Sequence, residues 1–455
     1  MKNLLPLIGL LLTVGVAPTA SAQDQPWRGA SVTEDPEWRK HFLGSYGFLS
    51  GAEPEIASDE RETLREVIAL MESNPQAAAD RLKQQVGADS SAALDFVLAN
   101  LYFQNGETDV AAGYYESALD KFPDFRRAHK NLGLLLVQKN DCDAALPHFS
   151  RAVELGDRDG RNYGLMGYCY INLENYLAAE IAYRNAILQQ PDTKDWKLGL
   201  ARALLALEHY PDAIALLGDL IQADPEDATS WMLQANAYIG AEKPMAAAIN
   251  LETVRMMGRA QRSSLVLLGD IYMNARMPEL AKSAYLDAIQ GDDAAPFATA
   301  YRAADLLVRA RAQGEAQEIL ALIDRRYGQG LPREDQLKVL TLKAKVARAQ
   351  GRDGEAARLL ESIVRQDGAR GDALLELAAY YDKQGEREKA LLLIERAERL
   401  EAFAYAALLQ HAQLLVAERD YAKAAEVLRK ALQIKQEPRV ERYLSAVEQA
   451  IRPET

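Results

Sequence analysis

Residues 92–125 read AALDFVLANLYFQNGETDVAAGYYESALDKFPDF, residues 126–159 read RRAHKNLGLLLVQKNDCDAALPHFSRAVELGDRD, and residues 160–193 read GRNYGLMGYCYINLENYLAAEIAYRNAILQQPDT. Set beneath one another at a spacing of 34, the lines carry one comb of small and aromatic residues. Ala99, Tyr102, Ala111, Tyr115, Ala118 and Pro123 are answered by Gly133, Leu136, Ala145, Phe149 and Ala152, then by Gly167, Tyr170, Ala179, Tyr183, Ala186 and Pro191. A period of this length marks a stacked array in which each unit touches only its neighbours.

The comb resembles the tetratricopeptide repeat, a helix, a tight turn and a second helix, with small residues where the helices approach and aromatics between them. It predicts ten repeats beginning near residues 92, 126, 160, 194, 228, 262, 297, 337, 371 and 405. Turn signals fall where such units need them, at Asn105-Gly106, Lys139-Asn140-Asp141, Gln350-Gly351 and Gln384-Gly385, and Pro123, Pro191 and Pro225 end second helices. One step is long, with extra residues around Arg325 to Gln336. Gly328, Gly330 and Pro332 mark that stretch (326–336) as an insertion and a candidate kink between array halves 92–325 and 337–437. Residues 58–91 fit one degenerate repeat ahead of the array, and 438–455 a capping helix and tail. The expected fold is an all-α right-handed superhelical solenoid.

Residues 1–22 read as a secretory signal: Lys2, a short apolar stretch from Leu4 to Val16, then Ala20-Ser21-Ala22, with cleavage before Gln23. The apolar stretch is shorter than the roughly 20 residues a spanning helix needs, and no other segment is apolar enough to cross a bilayer. The formal charge is −13, and loss of Lys2 with the signal takes it to −14. An acidic surface opposes nucleic-acid binding. Residues 23–57 stand outside the period and carry Trp27, Trp38, Phe42, Tyr46 and Phe48. Two readings fit them, a recognition element or a strap folded back on the first helices.

Catalytic patterns are missing. The five histidines, at 41, 129, 148, 209 and 411, form no metal-ligand pair at helical spacing, and two cysteines cannot build a Cys-rich zinc site. Phosphate loops and nucleophile elbows are also lacking. Acidic residues sit beside Lys or Arg at surface spacing, as in Glu386-Arg387-Glu388-Lys389. No enzyme activity, cofactor or metal is expected. Cys142, near the start of one second helix, and Cys169, late in the next first helix, fall on helices that should pack antiparallel. They fit either a disulfide, worth about 3.5 kcal/mol on the chain-entropy argument, or two buried thiols.

Binding remains, along a concave surface lined by first helices. Their inner face is expected to present Asn100, Lys130, Asn131, Arg161, Tyr168, Arg202, Asn236 and Asp270, a polar groove able to hydrogen-bond a peptide backbone or its carboxylates. Some tetratricopeptide proteins clamp a terminal carboxylate with Lys and Asn from successive repeats. Here the matching positions are Phe96, Asn100, Asn131, Arg161 and Leu165, so two Asn and one cation agree with that pattern while Phe96 and Leu165 depart from it.

A closer resemblance rests on Pro36-Glu37-Trp38-Arg39-Lys40-His41-Phe42-Leu43-Gly44-Ser45-Tyr46-Gly47, Ala92-Ala93-Leu94-Asp95-Phe96, Ala128-His129-Lys130-Asn131-Leu132-Gly133, Tyr163-Gly164-Leu165-Met166-Gly167-Tyr168-Cys169-Tyr170 and Leu268-Gly269-Asp270-Ile271-Tyr272-Met273-Asn274. These stretches resemble exported bacterial tetratricopeptide proteins encoded beside TonB-ExbB-ExbD energy-transduction genes, and the likeness runs to about residue 290. It implies a periplasmic accessory scaffold with TonB, ExbB or ExbD components as partners. A scaffold for outer-membrane or exopolysaccharide assembly is the alternative, and a glycan or cell-wall hydrolase a more distant one.

Overall fold

The computed structural model describes residues 53–71, 74–291, 295–328 and 330–451. The signal segment and the leader aromatics from Trp27 to Phe48 lie outside the described residues. The described residues form 23 helices and no strand. The chain divides into two compact units at Lys243 and Pro244.

Unit 1 opens with the degenerate pair α1 (Ser58–Met71) and α2 (Pro75–Lys83). It continues with α3 (Ala92–Gln104) and α4 (Thr108–Lys121), α5 (Arg126–Gln138) and α6 (Cys142–Glu154), α7 (Gly160–Asn172) and α8 (Tyr176–Gln189), then α9 (Lys194–Ala206) and α10 (Tyr210–Ala223), closing on α11 (Ala228–Gly240). Unit 2 begins at α12 (Pro244–Met256) and runs through α13 (Arg262–Asn274) with α14 (Pro278–Gln290) and α15 (Phe297–Arg309) with α16 (Gln313–Tyr327). It ends with α17 (Arg333–Ala349) and α18 (Asp353–Gln366), α19 (Gly371–Lys383) and α20 (Arg387–Glu398), α21 (Glu401–Ala417) and α22 (Tyr421–Ile434), and the closing helix α23 (Pro438–Ile451).

The comb has a steric meaning. A Cβ added to Gly133 would stand 2.8 Å from the Phe149 ring, at Gly167 2.9 Å from Tyr183, and at Gly269 2.4 Å from Tyr285. Each glycine of a first helix is therefore the seat of the aromatic on its own second helix. Those rings are almost fully buried. The alanines at 111, 145, 179 and 213 in unit 1, and at 247, 281, 316, 356, 390 and 424 in unit 2, are buried where the helices meet.

The turn inside each repeat is equally regular. A residue with positive φ, between 57° and 82°, recurs at Gly106, Asn140, Glu174, Glu208, Glu242, Arg276, Arg311, Gly351, Gly385 and Arg419. At Glu174 the turn closes as a Schellman motif, with the Glu174 amide donating to the Ile171 carbonyl at 3.0 Å and the Asn175 amide to the Tyr170 carbonyl at 2.8 Å. All ten turns sit at one place relative to the repeat starts read from the sequence. That includes 337 and 405, although α17 and α21 begin a turn earlier, at Arg333 and Glu401.

The long step is absorbed as helix. α16 and α17 run 15 and 17 residues against 13 for α15. The division between compact units falls elsewhere, inside the repeat that begins at 228, so it separates α11 from α12.

Candidate functional site

In unit 1 the first helices differ sharply in what they expose. α3 is apolar nearly all round, and every residue from Ala92 to Phe103 is buried. A helix of that composition is enclosed rather than left with a wet face. Asn100 is thus buried at 2% exposure. Its Oδ1 accepts from the Tyr115 hydroxyl at 2.5 Å and from Asn131 Nδ2 at 2.9 Å, tying α3, α4 and the next first helix α5 together. The carboxylate-clamp positions around it are occupied in the same way. Phe96 is buried against Phe125 and Tyr115, and Leu165 packs on the core that contains Cys142 and Phe149.

Unit 2 repeats the device with charge. Asp270 on α13 accepts from the Tyr285 hydroxyl at 2.6 Å and from Arg302 Nη2 at 2.8 Å, linking α13, α14 and α15. Burial first, then the Asp270 carboxylate, pushes the Tyr285 phenol well above its ordinary range. Acceptor, tyrosine and donor occupy corresponding repeat positions in both triads.

Of the remaining predicted residues of unit 1, Lys130 and Arg161 meet at the start of α7. Lys130 on α5 pairs with Asp159, which also caps α7 by accepting from the Arg161 amide at 3.0 Å. Gln190 donates from Nε2 to Asp159 Oδ1, 3.5 Å away, and its Oε1 accepts from Trp196 Nε1 at 3.3 Å. A polar chain therefore runs Lys130, Asp159, Gln190, Trp196 across α5, α7 and α9. Trp196 reaches it because Gly164 has no Cβ, which would fall 2.4 Å from the indole. Burial raises the Asp159 carboxyl, but the Lys130 charge, its hydrogen bond and the Arg161 amide outweigh this and hold it below the usual range. Neighbouring Asp157 shifts the other way, chiefly by burial, and its Oδ2 has no hydrogen-bond partner. Arg161, Tyr168 and Arg202 are half-buried, and Asn236 is exposed.

Sequence reasoning missed the closest thing to a bound ligand. Glu53, at the end of the leader, is 5% exposed in its side chain and accepts from Arg127 Nε at 2.9 Å and Nη2 at 2.6 Å. The Arg127 guanidinium lies over Phe96 and Phe125, 5.3 and 5.8 Å from the ring centroids. Pro54 beside it is buried and Ile56 packs on the first core. The described end of the leader therefore behaves as a strap, through a carboxylate held by a first-helix cation. Arg127 stands one repeat before Arg161, at the same position.

A histidine pair lies in the same repeat. His129 and His148 approach Nδ1 to Nδ1 at 2.9 Å, and His129 Nε2 is 2.9 Å from the Pro123 carbonyl. A carbonyl only accepts, so His129 carries its proton on Nε2 and His148 donates from Nδ1. Burial holds both imidazoles below their ordinary pKa, helped at His129 by Arg151 and at His148 by His129. Second helices also show apolar side chains to solvent: Leu177, Ile181 and Leu188 on α8, and, in corresponding places within unit 2, Met245, Ile249 and Met256 on α12. Among the described residues no group of three metal-ligating side chains converges, and no helix is long and apolar enough to cross a membrane.

These features define a helical-repeat scaffold with a polar first-helix surface. Tetratricopeptide repeat models match residues 96–160, 170–237 and 405–438, which places these stretches in the tetratricopeptide repeat family. Arrays of this kind bind protein partners and generally act as non-enzymatic scaffolds. Among curated proteins, the general transcriptional corepressor trfA of Dictyostelium discoideum is 31% identical over 20% of this chain and 6% of its own length. The mitochondrial import receptor subunit TOM70 of Saccharomyces cerevisiae is 28% identical over 32% of this chain and 25% of its own length. The chain thus spans no more than about a quarter of either relative. Similar solved structures include YrrB, a tetratricopeptide protein with an unusual peptide-binding site (18% identity, 43% of this chain, 94% of that one, TM-score 0.37). A tetratricopeptide repeat protein from Parabacteroides merdae (19%, 56% and 100%, TM-score 0.37) is another.

Proposed function

We propose that this chain is a non-enzymatic periplasmic scaffold whose unit 1 captures an extended, acidic segment of a protein partner along α5, α7 and α9. The observation that carries the reading is Glu53 on Arg127. An irregular segment with a carboxylate is held there by a first-helix cation backed by aromatic rings, and the next repeat offers Arg161 in the same place, followed by Tyr168 and Arg202. Carboxylate recognition by guanidinium is geometrically specific without requiring one side-chain sequence. The signal-like residues 1–22 support export. The resemblance to proteins encoded beside TonB-ExbB-ExbD genes supports components of that machinery as partners.

Reversing charge at Arg161 and Arg202 together should weaken capture of envelope proteins by the immobilised chain while leaving its helical circular dichroism unchanged. Undiminished capture refutes the surface assignment. Crosslinking in intact cells followed by mass spectrometry identifies the partner, and its recovery without TonB, ExbB or ExbD peptides removes the transport association.

A further inference from the structure

Cys142 and Cys169 are both buried, in one core cluster with Val137, Ala145 and Phe149. Cys142 is the first residue of α6 and Cys169 lies in the last turn of α7, so the antiparallel packing of successive helices sets one sulfur against the other. The two side chains share that one small core, and Asn172 Nδ2 donates to Cys142 Sγ at 3.7 Å. The pair is therefore asymmetric. Cys142 receives the Asn172 donor at a helix N-terminus and is 5% exposed, whereas Cys169 is fully buried, 0% exposed. The direction of ionisation agrees: the neighbouring Cys169 side chain, then the Asn172 donor, lowers the Cys142 thiol against the effect of burial, while the neighbouring Cys142 and burial raise Cys169.

We propose that Cys142 and Cys169 form a redox pair in which Cys142 is the attacking sulfur and Cys169 the resolving one, closing a disulfide between α6 and α7. The Cys142 thiolate attacks a disulfide of a thiol–disulfide oxidant, giving a mixed disulfide and releasing one thiolate of the oxidant. Cys169, on losing its proton, attacks the Cys142 sulfur and expels the second thiolate. The protein loses two protons and two electrons, and the oxidant becomes a dithiol or two thiols. An exported chain meets such oxidants. The pairing itself does not depend on export, because the oxidant can be supplied in vitro. The bond would pin α7, which carries Arg161 and Tyr168, to the preceding repeat. Closing a loop of this size shifts the unfolding equilibrium by about 400-fold on the chain-entropy argument.

The test equilibrates the folded full chain with oxidised glutathione, quenches in acid, denatures, alkylates with a maleimide and records intact mass and peptide map. The expected wild-type product takes no maleimide, has lost the mass of two hydrogens and gives a peptide joining residues 142 and 169. Cys169→Ser should stall as a glutathione adduct on Cys142, and Cys142→Ser should leave Cys169 unmodified. Two alkylatable thiols in the wild type overturn the pairing, and equally fast adducts in both variants overturn the order of attack. Should either variant lose its helical signal, the wild-type time course decides instead: glutathione must appear on Cys142 before the crosslink, and its appearance on Cys169 refutes the assignment.

Discussion

Removing the Glu53 carboxylate tests whether the leader is strapped down by one ion pair. The side chain is 5% exposed and bonds two nitrogens of Arg127, itself 22% exposed, while Arg126 stands 4.0 Å away. A pair this enclosed falls between the exposed limit, below about 1 kcal/mol, and the about 3–5 kcal/mol lost when one partner of a buried pair is deleted. Arg127 keeps its contact with the Phe96 and Phe125 rings and some access to water, so Glu53→Gln should cost about 2–3 kcal/mol. The strap is short, so the loss should appear as local opening rather than unfolding of unit 1. At about 1.4 kcal/mol per decade, cleavage of residues 53–57 by a dilute protease should quicken roughly 30- to 150-fold. Core amides of α3 and α4 should keep their hydrogen-exchange protection. Arg127→Leu should have a similar effect, and the double variant should add little to either. A change below threefold, or additive effects in the double variant, would show that Pro54 and Ile56 hold the strap and that the ion pair does not.

Two further outcomes follow from packing and titration. Gly269→Ala places a methyl 2.4 Å from the Tyr285 ring, so it should destabilise unit 2 by about 1–3 kcal/mol through overpacking, read as a lower urea midpoint; an unchanged midpoint refutes the ring-seat account. His129 and His148 have folded pKa values below their unfolded ones, so the unfolded chain binds more protons in that window and stability is lost as pH falls through about 6.5 and below. Replacing His148 with Gln should flatten that dependence in urea titrations between pH 7 and 5, and an undiminished slope would place the acid sensitivity elsewhere.

Periodicity carried the fold because each tooth of the comb has one steric duty. Gly133, Gly167 and Gly269 admit a ring, and the turns at residues such as Glu174 recur in phase even where the residue is not glycine. The positions called inner-face polar were less legible, since period alone does not say whether a helix has a wet side. Asn100 lies on α3, whose composition leaves no polar face, and that signal was present in the sequence. Asp270 could not be read in this way, because its neighbours Tyr285 and Arg302 become partners only through packing. The strap was legible only as an aromatic leader, and Glu53 reaches Arg127 through contacts that no spacing encodes.

The two triads separate cohesion from recognition. Where a first helix carries an acceptor and the next one a donor, as at Asn100 and Asn131 or Asp270 and Arg302, the polar groups are spent on joining successive repeats through the intervening tyrosine. The corresponding places after Tyr168 and Arg202 are Gly199 and Leu233, which have no side-chain donor. Cohesion there comes from packing instead: the Tyr183 ring fills the space over Gly167 and Gly199, and Leu217 is fully buried. With the tie between repeats made by apolar contact, the polar ends of Tyr168 and Arg202 are left to chemistry outside the core. The surface proposed to capture a partner in unit 1 therefore falls on α7 and α9 and the adjoining part of α5, next to the Lys130, Asp159, Gln190 and Trp196 chain, and not on α3, where the same positions are closed.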